Sequence, residues 1–135
     1  MIQKYLLQIE TLLKSGQATE HSYRPALKDV FTEITKLYVV NEPKRSKHGA
    51  PDFIFVNSSE APVCWAEAKD IGVSLDKIEK SEQMSRYYGY ANLILTDGLE
   101  FCFYKNGTKY GEPIGRLNLT IFIFCWNFRN AWLFT

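Results

Sequence analysis

The sequence predicts a single α/β domain, a mixed sheet flanked by helices, in the element order α-α-β-β-β-α-β-β. Three observations lead there. Apolar residues recur at helical spacing over the N-terminal part of the chain. From residue 37 the period changes to short extended runs. One further helical stretch, 75–90, divides those runs into two groups. Strands in a meander, then a crossover helix, then more strands belong to a mixed α/β architecture. The 135 residues suit one ordinary domain, and 46% apolar with 23% charged residues excludes a predominantly disordered chain. No period recurs, which excludes a repeat architecture.

Each element has a local reason. Ile2, Tyr5, Leu6, Ile9, Leu12 and Leu13 share one helical face over 2–14, and Ser15-Gly16 supplies the stop. Ala26, Leu27, Val30, Phe31, Ile34 and Leu37 form the apolar face of a second helix. Pro25 suits a first turn there, with Thr19 or Ser22 as N-cap. Residues 37–42, 51–57 and 63–70 read as strands, the last two joined in a hairpin across Asn57-Ser58-Ser59 and Pro62. Residues 75–90 place Leu75, Ile78, Met84 and Tyr87 or Tyr88 on an apolar helix face. Residues 92–97 form a short apolar strand, and Asp97-Gly98 turns the chain into its partner at 100–106.

Sixteen Lys and Arg against fifteen Asp and Glu leave a net charge of +1, which neither demands nor excludes nucleic acid, since a local basic patch suffices. Three cysteines (Cys64, Cys102, Cys125) without a CxxC pair argue against a disulfide framework and a cysteine zinc site. The N-terminus carries polar and acidic residues where a signal peptide needs an unbroken apolar stretch, so a cytoplasmic location is expected. Residues 117–135 are dense in Phe, Ile, Leu and Trp. Asn118, Thr120, Asn127, Arg129 and Asn130 interrupt them, so no membrane span is expected.

The residues that could carry chemistry lie on the second and third strands. Pro51-Asp52 opens one, and Glu67-Ala68-Lys69 ends the other. Strand side chains alternate, so Glu67 and Lys69 project from the same face, about 6–7 Å apart along the strand. Pairing across the 57–62 turn would bring Asp52 beside Glu67. Two converging carboxylates repel unless a cation lies between them, and hard oxygen ligands select Mg²⁺, with Mn²⁺ also admitted. A lysine at such a site can orient water and offset charge in a phosphoryl transition state. Cys64, Trp65, Ala66 and Ala68 make the third strand apolar and largely buried, and a charged pair there is costly unless paired or functional.

The pattern GAPDF…WAEAKDIG resembles the PD-(D/E)xK nuclease superfamily. More closely, it resembles the N-terminal nuclease domain of restriction enzymes that join nuclease and adenine-specific DNA methyltransferase in one chain (types IIG, IIL and ISP). The blocks ATEHSYRPAL (18–27), NEPKRSKHGAPDF (41–53), EAKDIG (67–72), LDKIEKSEQMSRY (75–87) and NLILTDGLEF (92–101) carry the resemblance over about residues 18–106. It implies a restriction-endonuclease-like mixed sheet and a Mg²⁺-dependent endonuclease acting on double-stranded DNA. By position, Asp52 and Glu67 would be metal ligands, the Ala68 carbonyl would complete the coordination, and Lys69 would position the attacking water. Glu20 matches a helix-borne acidic residue on the same side of the site. Gln83 and Tyr87 match a QxxxY element, and their i, i+4 spacing puts both on one helix face. Lys44, Arg45 and Lys47, in the basic run before the PD strand, would hold DNA phosphates. Asp70 is expected to be structural, capping the loop at Ile71-Gly72, and His21 and His48 have no metal-ligand spacing.

The resemblance fades after about residue 110. The expected division is therefore a nuclease-like domain at 1–110 and an apolar tail at 111–135 that reflects truncation or an altered reading frame. Neither an NPPY-like element nor a Gly-rich S-adenosylmethionine element occurs, so this chain is not expected to methylate DNA. Methyltransferase and target-recognition functions would come from separate domains. Many nucleases of this superfamily pair two copies to cut both strands, which leaves room for a homodimer. The alternative is a catalytically silent, nuclease-like DNA-binding or interaction module.

Overall fold

A computed structural model describes the backbone of residues 2–111 and 114–115. Two helices, α1 (Ile2–Lys14) and α2 (Glu20–Thr35), lead into strands β1 (Tyr38–Asn41), β2 (Phe53–Val56) and β3 (Pro62–Ala68). Two short helices, α3 (Leu75–Glu79) and α4 (Glu82–Tyr87), cross over to β4 (Asn92–Thr96) and β5 (Glu100–Lys105). Two edge pieces follow, β6 (Thr108–Lys109) and β7 (Ile114–Gly115). The expected apolar tail at 111–135 falls outside the described residues except at 111, 114 and 115, and Ile114 and Gly115 form β7.

The sheet runs β1-β2-β3-β4-β5-β6, with β7 also pairing β5. Among the described strands β3 and β4 pair in parallel, and their neighbours pair antiparallel. The parallel pair needs a crossover, which α3 and α4 supply. The expected meander, hairpin and crossover are all present. The expected single helix over 75–90 is instead two. Ser81 starts α4 afresh, its hydroxyl accepting the Met84 N–H at 3.2 Å. The short edge strands β6 and β7 carry no apolar alternation in the sequence and add to the expected set.

The start of α2 is at one of the two expected caps, but Pro25 is not in the first turn. Thr19 is the N-cap, and its N–H donates to Ser22 Oγ at 3.2 Å. Pro25 therefore stands at the sixth helical position, one turn further in than expected. In β2, Phe53 and Phe55 are buried while Ile54 and Val56 are only half-buried, so one face of this strand is more open than the other.

The sheet's two faces are packed by different helices. On one, Phe53, Phe55, Cys64, Ala66, Ala68, Ile94, Phe101 and Phe103 meet α1 and α2. Small residues on β3 let the helices approach. Phe31 of α2 sits at the centre, its ring 5.0 Å from Phe55, 5.8 Å from Phe53 and 6.3 Å from Phe101. On the other face, Trp65, Leu93, Leu95, Cys102 and Tyr104 meet Leu75, Met84 and Tyr87. Cys64 and Cys102 are buried free thiols. The β4–β5 turn needs Gly98, at φ 90°, where an added Cβ would lie 3.0 Å from the Tyr23 ring. Asp97 Oδ1 closes that turn by accepting the N–H groups of Leu99 and Glu100. Among the described residues no helix is long and apolar enough to cross a membrane.

Candidate active site

The site forms where β2 begins and β3 ends. Antiparallel pairing sets Phe53 opposite Ala66, which brings Asp52 alongside Glu67 and Ala68. Two hydrogen bonds lock this junction. The Asp52 N–H donates to Glu67 Oε2 at 3.2 Å, and the Ala68 N–H donates to Asp52 Oδ2 at 2.8 Å. Lys69 follows β3, its N–H donating to the Thr96 carbonyl at 2.8 Å, so the parallel neighbour β4 fixes where it leaves the sheet. Its Nζ donates to Glu67 Oε1 at 3.2 Å and to Gln83 Oε1 at 2.8 Å. The expected alignment of Glu67 and Lys69 on one face is therefore present, and Gln83 of α4 joins them.

The two carboxylates stand in an unfavourable field. Glu67 is 5% exposed. Burial, then the charge of Asp52, pushes its pKa from 4.5 up to about 7, against the pull of Lys69. Asp52 is also raised by burial, opposed by the Ala68 N–H, Arg24 and Lys69. The Tyr87 hydroxyl is pushed up to about 12 by burial and by the nearby Glu67 and Asp52 charges. Tyr87 thus faces the carboxylates electrostatically. Its ring also backs Gly49, where an added Cβ would lie 2.8 Å from Cε1.

Glu20 opens α2 and reaches the site through an intermediary. Its Oε1 is 3.2 Å from Arg24 Nη2, and Arg24 Nη2 in turn donates to Asp52 Oδ1 at 2.6 Å. Arg24 Nη1 is 3.5 Å from Glu42 Oε1. Sequence reasoning misses Arg24, Glu42 and Tyr23, whose hydroxyl donates to the Lys69 carbonyl. A signal for Arg24 exists. It lies four residues after Glu20, beside Tyr23, Ala26 and Leu27, on the face that the helix buries. Asp70 is structural, as expected, by a different contact. Its Oδ1 accepts the Glu20 N–H at 2.6 Å and so binds the start of α2 to the end of β3. His21 stays at the rim, 3.9 Å from Glu20 Oε1.

The basic run forms a loop closed at its base by the Glu42 N–H donating to the Asp52 carbonyl at 2.7 Å. Ser46 and Gly49 bridge across its tip, and Lys44, Arg45 and Lys47 are exposed. Tyr90 anchors it. The Tyr90 hydroxyl donates to the Gly49 carbonyl at 2.8 Å and lies 2.5 Å from Ser46 Oγ, while its ring stacks on Trp65 at 4.2 Å and meets His48 edge-on.

Among the described residues no three His, Cys, Asp or Glu side chains gather into a ready-made metal cage. The oxygen donors of the junction are the Asp52 and Glu67 carboxylates, next to the backbone at Ala68. As hard oxygen donors they suit a divalent cation, whose charge would offset that of Asp52, the second cause after burial of the raised Glu67 pKa.

No protein-family profile matches the chain, and no curated protein matches it. Among solved structures it is similar to a DrdV–DNA complex determined by cryo-EM, with a TM-score of 0.79 and 18% identity. The fold is restriction-endonuclease-like. The match covers 95% of this chain and 13% of that one, so the chain spans a small part of its neighbour's length. The α/β mixed sheet flanked by helices that the sequence predicts agrees with this similarity.

Proposed function

We propose that the chain is a Mg²⁺-dependent DNA endonuclease domain, residues 1–110, of the PD-(D/E)xK kind, belonging to a restriction-modification enzyme. The observation that carries the reading is the junction itself. Asp52, Glu67 and Lys69 meet at the end of two paired strands, tied to one another by hydrogen bonds. The fold is shared with a protein whose structure was solved on DNA. The cofactor is Mg²⁺, with Mn²⁺ as substitute, and the partner is double-stranded DNA. Two copies would cut the two strands, and methyltransferase and specificity functions would reside elsewhere. We place this activity in the cytoplasm.

In this reading Asp52, Glu67 and the Ala68 carbonyl hold the cation. The cation supplies positive charge to the phosphodiester and lowers the pKa of water. Lys69, held between Glu67 and Gln83, orients the attacking water in line with the scissile phosphate. Its charge also offsets the negative charge that grows on the phosphate oxygens. Tyr87 belongs to the apolar cluster beneath α4 and lies near enough to Glu67 and Asp52 to feel their charge. Glu20 acts through Arg24 on Asp52. The loop bearing Lys44, Arg45 and Lys47 extends from Asp52, so phosphates bound there lie beside the reacting one.

Plasmid cleavage tests the reading, in Mg²⁺, in Mn²⁺ and in EDTA, beside Asp52→Ala and Lys69→Ala. The expected result is metal-dependent nicking that both substitutions abolish. A folded chain that binds metal without cutting would favour the silent DNA-binding module, and a folded chain that binds no metal would overturn the reading.

A further inference from the structure

The proposed chemistry uses Arg24 only as the link between Glu20 and Asp52, yet its setting points to more. Its side chain is 7% exposed, yet it carries a full positive charge. One guanidinium serves three carboxylates. Nη2 is 2.6 Å from Asp52 Oδ1 and 3.2 Å from Glu20 Oε1, and Nη1 is 3.5 Å from Glu42 Oε1. Its Nε is buried with no hydrogen-bond partner among the described residues. A buried, unpartnered donor on an arginine is costly.

The contact to Asp52 matters most. The two oxygens of Asp52 are both engaged, Oδ2 by the Ala68 N–H and Oδ1 by Arg24. Glu67 is likewise engaged on both oxygens, by the Asp52 N–H and by Lys69. The backbone bonds are part of the strand junction and do not move without it. Side-chain donors can move. A cation approaching Oδ1 of Asp52 meets the guanidinium already there, and two positive charges at one oxygen repel.

We infer that Arg24 is a latch on Asp52, a positioning residue that stands in for a divalent cation in the metal-free chain and gives up Oδ1 when the cation binds. The inference rests on the metal-dependent reading above and adds a competitor to it. The latch has two physical effects. It keeps the Asp52 carboxylate aimed at the junction while no metal is present. It also weakens metal binding, because a guanidinium held to Oδ1 at 2.6 Å competes with the cation for the charge of that oxygen. The third carboxylate offers the guanidinium an alternative partner, because the Glu42 side chain is 73% exposed and lies at the rim.

Calorimetric titration of Mn²⁺ into the parent chain and into Arg24→Met tests this. A residue that merely props up the site would, when removed, leave metal binding weaker. A latch predicts the opposite sign, with Arg24→Met binding Mn²⁺ at least about tenfold more tightly. A folded variant with equal or weaker affinity would overturn the inference. If Arg24→Met does not fold, the parent chain still decides. Its Arg24 Nε–H nuclear magnetic resonance signal should shift on titration with diamagnetic Mg²⁺ and saturate with the calorimetric affinity. A signal that stays in place at saturating Mg²⁺ would overturn the latch and leave the nuclease reading standing. Metal binding by neither chain would overturn both.

Discussion

Replacing Glu67 by Gln should change the pH dependence of stability in a defined direction. Glu67 titrates near 7 in the folded chain against 4.5 when unfolded, because burial and Asp52 oppose its charge. A raised folded pKa means that the native state holds the proton more tightly. The associated stability is present in full below pH 4.5 and is lost as pH rises through about 7. The difference corresponds to about 3 kcal/mol at pH 8. Gln cannot ionise, so the variant escapes this loss. It keeps one acceptor oxygen where the ionised Glu67 offers two, to the Asp52 N–H and to Lys69. The quantity to measure is therefore the parent-minus-variant difference in melting temperature, by circular dichroism in EDTA from pH 4.5 to 8. It should move against the parent by roughly 10 °C across that window. Parallel melting curves would refute the claim that Glu67 is held in a field hostile to its charge. On the proposed function, Mg²⁺ should raise the parent's melting temperature more at pH 8 than at pH 5, because cation and proton would compete for the same carboxylate.

Three further outcomes are expected. Phe31→Ala empties the space between Phe53, Phe55 and Phe101, and should cost about 3–5 kcal/mol in urea unfolding. Tyr90→Phe removes the hydroxyl bonded to Gly49 and Ser46 and should cost about 1–3 kcal/mol. It should also weaken duplex binding measured by fluorescence anisotropy in Ca²⁺, since the basic loop is then without its anchor. Replacing Lys44, Arg45 and Lys47 together by Ala should lower the slope of log affinity against log salt by up to about 2.7, at roughly 0.9 for each phosphate no longer neutralised. An unchanged slope would show that the loop does not touch phosphate.

The strands of the junction are legible in the sequence for a local reason. Alternation places Glu67 and Lys69 on one face, and the Asn57 to Pro62 turn fixes the hairpin that brings Asp52 to them. Gln83 is legible only through resemblance, because its contact with Lys69 spans a crossover that no local pattern encodes. Arg24 is the main omission. Periodicity assigns it to the buried face, where a lone Arg reads as a defect until its three carboxylates, from three separate segments, are seen around it. Asp70 reads as structural from the sequence, but its partner is Glu20, fifty residues away, and not the neighbouring loop. The break between α3 and α4 follows from Ser81, whose capping choice outweighs the apolar spacing on either side. The edge strands β6 and β7 have no apolar period to betray them, since pairing with β5 rather than burial creates them.

Helix α2 couples the core to the chemistry. Its first turns touch the site at three separate points. The Glu20 N–H binds Asp70, the Tyr23 hydroxyl binds the Lys69 carbonyl, and Arg24 binds Asp52. One turn and more beyond, Leu27, Val30, Phe31 and Ile34 are sunk in the main apolar cluster with β2 and β5. A rigid helix transmits a shift at Phe31 to all three points at once, because packed interiors deform as units and not atom by atom. Asp52 and Lys69 are therefore positioned from two sides, by the strand pairing beneath them and by a helix whose own seat is the Phe31 cluster. Loss of packing at Phe31 should then damage the alignment of Asp52 and Lys69 before it unfolds the chain. The strand register alone cannot replace the orientation that Arg24 and Tyr23 impose.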